Sequence, residues 1–88
     1  MADTPTLAQL RSRAEKSRRQ AETDRQALLD AAVAEAVTSH AYGHVSAVAR
    51  EAGINGQYLR DLIDKRHPGW LEEAARKREA EKRAAQRS

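Results

Sequence analysis

Leu28, Leu29, Ala32, Val33, Ala36 and Val37 recur at helical spacing and predict one apolar stripe on a helix over residues 26–40. Thr38, Ser39 and His40 lower its propensity, and Gly43 is placed to end it, with Ala41 and Tyr42 in the last turn or the exit. Upstream, Leu7, Leu10, Ala14, Ser17, Ala21, Asp24 and Leu28 follow a heptad register, yet only the three leucines are large and apolar. This segment reads as a charged helix that serves a dimer contact, packs one side of a long helix on the core, or orders as an arm on binding. Residues 1–6, with Pro5 and small polar side chains, predict a frayed start.

Downstream the apolar positions come in shorter sets. HVSAVAREA at 44–52 predicts a short helix with Val45, Val48 and Ala49 inward, stopped by a left-handed Gly53. Asn55 is a good N-cap for a helix from about Gly56 to Lys65 that buries Leu59, Leu62 and Ile63. His67, Pro68 and Gly69 break the chain before a last helix over 70–87. There Glu72 and Glu73 sit in the first turn and the bases come late, which suits the helix dipole. Its large apolar residues are Trp70 and Leu71, so beyond Ala75 it is expected to project into solvent or fray.

Composition sharpens the class. Ala and Arg, both good helix formers, dominate, and β-branched residues are scarce, so an all-α fold is expected. The expected architecture is a small helical domain. A charged N-terminal helix or arm (1–25) and a basic C-terminal helix (68–88) flank a central three-helix core (26–67). With 88 residues, 3% aromatics and no Phe, the chain has little to fill a buried substrate pocket, and no enzyme is expected. The lack of Cys excludes disulfides and thiolate metal sites. No apolar run is long enough for a membrane span, and MADTPTLAQL does not resemble a secretory signal. A soluble, cytoplasmic protein is expected.

The net charge of +3 is unevenly spread: +2 over residues 1–26, −2 over 27–44, +1 over 45–68 and +2 over 69–88. Charge-rich ends are often only solvated helices. The sharper reading puts Arg11, Arg13, Lys16, Arg18 and Arg19, and the bases from Arg76 to Arg87, against phosphates.

The spacing around Gly53 carries the functional signal. Ala49 is small where a second helix would cross, Gly53 allows positive φ, Ile54 plugs the corner, and Leu59 and Leu62 face back. These are the requirements of a DNA-binding helix-turn-helix, with 55–65 as the helix that enters the major groove. HVSAVAREAGINGQYLRDLI is similar to the corresponding segment of tetracycline-repressor-like regulators, which carry the run seen here as Val45, Val48, Ala49, Ala52, Gly53 and Ile54. The resemblance covers roughly residues 26–66 and neither charged end. Asn55 stands where that family commonly has Ser, and Tyr58 falls earlier in the helix than the family's aromatic. No ligand-binding domain of that family is matched, so no small-molecule ligand or cofactor is expected.

Candidate DNA contacts follow from the face opposite Leu59, Leu62 and Ile63. Asn55, Gly56 and Gln57 head the helix; Gln57 suits adenine and Arg60 guanine, while Gly56 lets backbone come close. Ser46, at the start of the preceding helix, suits a phosphate, as do Lys65 and Arg66 beyond the groove. Tyr58 either meets sugar and phosphate or pads the core. Asp61 and Asp64 repel phosphate, so the far end of this helix is expected to leave the groove.

His40 and His44 are spaced for a metal, but Gly43 lies between them and no third ligand is near, so no metal site is expected. The leading expectation is a sequence-specific binder of double-stranded DNA, a transcription regulator or an accessory factor of a mobile element, associated with the nucleoid. The terminal helices are the candidates for a homodimer contact. The alternatives are a protein-interaction module and a nonspecific nucleoid-type DNA binder.

Overall fold

The computed structural model describes residues 4–87, and the expected fraying of residues 1–3 lies outside them. The described chain is all-α, with four helices: α1 Leu7–Ala36, α2 His44–Ala52, α3 Gly56–Arg66 and α4 Trp70–Arg87.

α1 is one continuous helix through the expected boundary at residues 25 and 26. It begins with order rather than fraying. Thr6 Oγ1 accepts from Gln9 N at 3.1 Å, and Thr6 N donates to Gln9 Oε1 at 2.9 Å. This reciprocal capping box satisfies two backbone donors at the helix start. Along the exposed shaft, Arg11–Glu15, Gln20–Asp24 and Gln26–Asp30 pair one turn apart. Its buried residues are Leu29, Ala32, Val33 and Ala36, all near the C-terminal end.

α1 stops at Ala36, four residues before the expected end at His40. The Glu35 carbonyl accepts from Thr38 Oγ1 at 2.7 Å and from His44 Nε2 at 2.9 Å. Ala41 and Tyr42 therefore lie in the connection, and Gly43 is the left-handed N-cap of α2 (φ 82°) rather than the terminator of α1.

The α2–α3 connection follows its sequence signals. Gly53 is left-handed (φ 70°), its N–H bonds Arg50 O at 3.2 Å, and Ile54 N bonds Ala49 O at 2.9 Å. That pair of bonds is a Schellman stop, which a residue without Cβ adopts at no steric cost. Asn55 Oδ1 then accepts from Gln57 N at 2.8 Å and Tyr58 N at 3.2 Å and starts α3.

Leu59 and Ile63 of α3 are wholly buried among Ala32, Val33 and Ala36 of α1 and Val48 and Ala49 of α2. Ile54, Leu62, Trp70 and Leu71 pack around that centre. α3 touches all three other helices, and α4 packs against α3. The molecule measures 80 × 23 × 17 Å because the N-terminal part of α1 stands away from this core. Among the described residues no helix is long and apolar enough to cross a membrane.

Candidate nucleic-acid interface

The cap and the buried face of α3 together set its exposed face. With Leu59 and Ile63 turned fully inward, Asn55, Gln57, Tyr58 and Asp61 are left on the outside. Both Asn55 Oδ1 bonds serve the cap, so its NH2 is the part of the amide turned to other work. The Gln57 side chain is exposed, and its Nε2 donates to Asp61 Oδ1 at 3.0 Å. That bond steers the amide along the helix and leaves the Asp61 charge in place. Tyr58 is 39% exposed, at the edge between core padding and an outward contact.

Ser46 and Arg60, on different helices, are brought together. Arg60 Nη2 donates to Ser46 Oγ at 2.9 Å and ties α3 to the first turn of α2. Gly56 has a role in the same arrangement. A Cβ there would lie 3.1 Å from Arg60 Nη1, so the bare glycine leaves room for the guanidinium. Arg60 is half-buried rather than free at the tip of α3.

Lys65 and Arg66 lie at the other end of α3 and are not brought to this group. Lys65 is exposed. Arg66 Nη1 bonds Asp30 Oδ1 at 2.6 Å and clamps the end of α3 to α1. The hydrogen bond from Arg66, and then that from Gln26, hold the Asp30 carboxyl below the usual carboxylate range. Engaging a phosphate with Arg66 means competing with that partner.

The sequence pattern does not single out Arg50, and it places Arg78 only among the bases from Arg76 to Arg87; both lie near Arg60. A cleft of about 320 Å³ between α2, α3 and α4 is lined by Ser46, Arg50, Arg60, Trp70 and Arg78, with the 41–43 connection at its rim. Arg78 is half-buried, and its Nη1 donates to His40 O at 2.9 Å. One turn on, Glu81 Oε1 meets His40 Nε2 at 2.6 Å. So α4 is fastened past Ala75, by polar contacts where no apolar anchor exists. The signal was in the spacing: Leu71, Ala74, Arg78 and Glu81 continue one helical face from apolar into polar residues. Both histidines are thereby engaged, His40 by α4 and His44 by α1. Among the described residues no group of three or more His, Asp or Glu is placed to hold a metal. Apart from Arg78, the bases of the two ends are on exposed helix surface, with Arg11–Glu15, Arg76–Glu73 and Arg83–Glu79 paired along their own helices. No protein-family model, curated protein or solved structure matches this chain.

Proposed function

We propose that the chain is a small sequence-specific binder of double-stranded DNA that places α3 in the major groove. The observation that carries the reading is the α2–α3 unit, in which Gly53 makes the Schellman stop and Asn55 the cap. With Leu59 and Ile63 wholly buried, the head of α3 stands outward with Gln57 exposed. A capped helix fixed on one face and polar at its exposed N-terminal end is the shape that major-groove readers require. Its likeness to the DNA-binding segment of tetracycline-repressor-like regulators points the same way. On this reading Gln57 meets a base edge, Ser46 and Arg60 face the flanking backbone or a neighbouring guanine, and Lys65 carries a more distant phosphate contact. The role is that of a transcription regulator or a mobile-element accessory factor at the nucleoid.

One helix in one groove reads few base pairs, so useful specificity needs a second copy or further contacts. The exposed leucines of α1 (Leu7 85%, Leu10 47%, Leu28 44%) favour a second copy. Selection from a pool of random duplexes, followed by a salt titration of the survivors, tests the reading. The expected result is one enriched motif whose affinity falls steeply with salt as counterions are released. Gln57→Ala is expected to cost about 1–3 kcal/mol on that motif and little on random DNA. Binding without enrichment turns the reading to a nonspecific nucleoid-type binder. No binding at low salt turns it to a protein-interaction module.

A further inference from the structure

Among the described residues some arginines are paired with a carboxylate, and others, including Arg13, Arg18, Arg19, Arg25 and Arg87 on exposed helix surface, are not. Arg11, Arg66, Arg76 and Arg83 are each paired with a carboxylate. Those lining the α2–α3–α4 cleft are not. Arg60 is held by the Ser46 hydroxyl and Arg78 by the His40 carbonyl. Arg50 has no ion-pair partner among the described residues, and the cleft lining contains neither Asp nor Glu. Glu79 pairs with Arg83, and Glu81, one turn past Arg78, is engaged by His40.

A neutral acceptor fixes a guanidinium without cancelling its charge. Each guanidinium carries five N–H donors, and the bonds to Ser46 and His40 leave most of them unused. These two groups and the exposed Arg50, on three different helices, line one concave surface, although they repel one another. Gly43 and Ser46, in the adjoining wall, place the start of α2 on the same side, so the helix dipole adds the same sign. The arrangement is complementary to a compact anion with several acceptor oxygens, for which the planar arginine fork is well matched. Tyr42 and Trp70 stand in the same lining.

We propose that this cleft is a seat for one phosphate group, held by Arg50, Arg60 and Arg78. The phosphate comes from a nucleic-acid backbone or from a free phosphate compound. The first source rests on the DNA reading above; the second does not. In the first case α4 joins the interface through Arg78, and Arg60 serves as a backbone clamp.

Trp70 is the single Trp of the chain and lines the cleft, so its fluorescence reports occupancy. The full chain is titrated with inorganic phosphate against chloride at matched ionic strength, and separately with a short duplex. The expected result is a saturable change with phosphate or duplex and none with chloride. Arg50→Gln and Arg78→Gln are each expected to weaken the midpoint about tenfold, the effect of losing one charge-assisted hydrogen bond. Circular dichroism checks that the helices persist. Arg50 is exposed and without an ion pair, so its variant carries the test if Arg78→Gln unfolds α4.

Saturation by duplex alone assigns the seat to the nucleic-acid backbone. Saturation by both, with phosphate displacing the duplex signal, assigns it to phosphate from either source. Silence with both ligands, or unchanged midpoints in both variants, overturns the seat. Duplex binding that survives both variants but falls with Gln57→Ala overturns the seat and leaves the reading by α3 standing. A phosphate response in a chain that binds no duplex keeps the seat and overturns the DNA reading.

Discussion

Residues 29–36 of α1 bury Leu29, Ala32, Val33 and Ala36, whereas residues 7–28 of the same helix bury none. Both stretches carry apolar residues at helical spacing, Leu7, Leu10, Ala14 and Ala21 in one and Leu29, Ala32, Val33 and Ala36 in the other. What separates them is the return of the chain. α2 and α3 fold back over the C-terminal end of α1 and close around Leu59 and Ile63. Upstream of Leu28 the shaft is supported by its cap and by pairs one turn apart, each worth about 0.2–0.5 kcal/mol. An isolated helix of that kind is marginal. One helix therefore contains a segment fixed by tertiary packing and a segment fixed by local chemistry.

Core truncation gives the widest gap between the two segments. Leu59→Ala is expected to destabilise the fold by about 2–5 kcal/mol, since Leu59 is wholly buried among three helices. Leu10→Ala on the shaft is expected to stay within about 0.5 kcal/mol at dilutions where no second copy is bound. Urea melts of both variants check the contrast. A large, concentration-dependent loss from Leu10→Ala would instead place the shaft in a contact with a second copy.

Gly53→Val breaks the turn on which the packed segment depends. Left-handed φ is strained for a β-branched residue, by about 1–3 kcal/mol, although nothing lies within 4 Å of the added Cβ. Thermal unfolding measures it. An unchanged melting temperature would mean that the turn adopts another conformation.

Thr6→Ala removes the capping box and is expected to cost the first turns of α1 about 1 kcal/mol. Amide exchange will rise near residues 7–12 and stay unchanged at Leu59 and Ile63. Acceleration throughout the core would show that shaft and core unfold as one unit.

The clamp between Asp30 and Arg66 gives the smallest and most specific effect. Its folded pKa is lowered by the Arg66 and Gln26 hydrogen bonds. Its contribution is therefore present at neutral pH, above the unfolded pKa, and lost as pH falls through the folded pKa. Asp30→Asn is expected to melt slightly lower than the wild type at neutral pH and to converge with it in acid. A gap that persists or widens in acid would assign the effect to something other than the carboxylate charge.

Much of this was legible along the chain. The stop at Gly53, the break at residues 67–69, the cap at Asn55 and the inward set of Leu59 and Ile63 are local signals read within a turn or two of sequence. The capping box of Thr6 and Gln9 was equally local, and the nearby Pro5 masked it. The candidate contacts at the head of α3 were legible by face, but their partners were not. That Arg60 turns to Ser46 over the bare Gly56 depends on how α2 and α3 cross.

What the sequence determined by itself is the all-α composition, the short-range stops and caps, and the apolar faces, because each depends on neighbours a few residues apart. The tertiary structure alone decided three things. It brought His44 onto the Glu35 carbonyl, beside the local bond from Thr38, at the end of α1. It turned Arg66 onto Asp30, thirty-six residues away. It also gathered Arg50, Arg60 and Arg78 from three helices into one cleft. The physical reason is common to all three. A hydrogen bond or a shared surface between distant residues forms only after packing has fixed the helices, and no local pattern of side chains encodes that meeting.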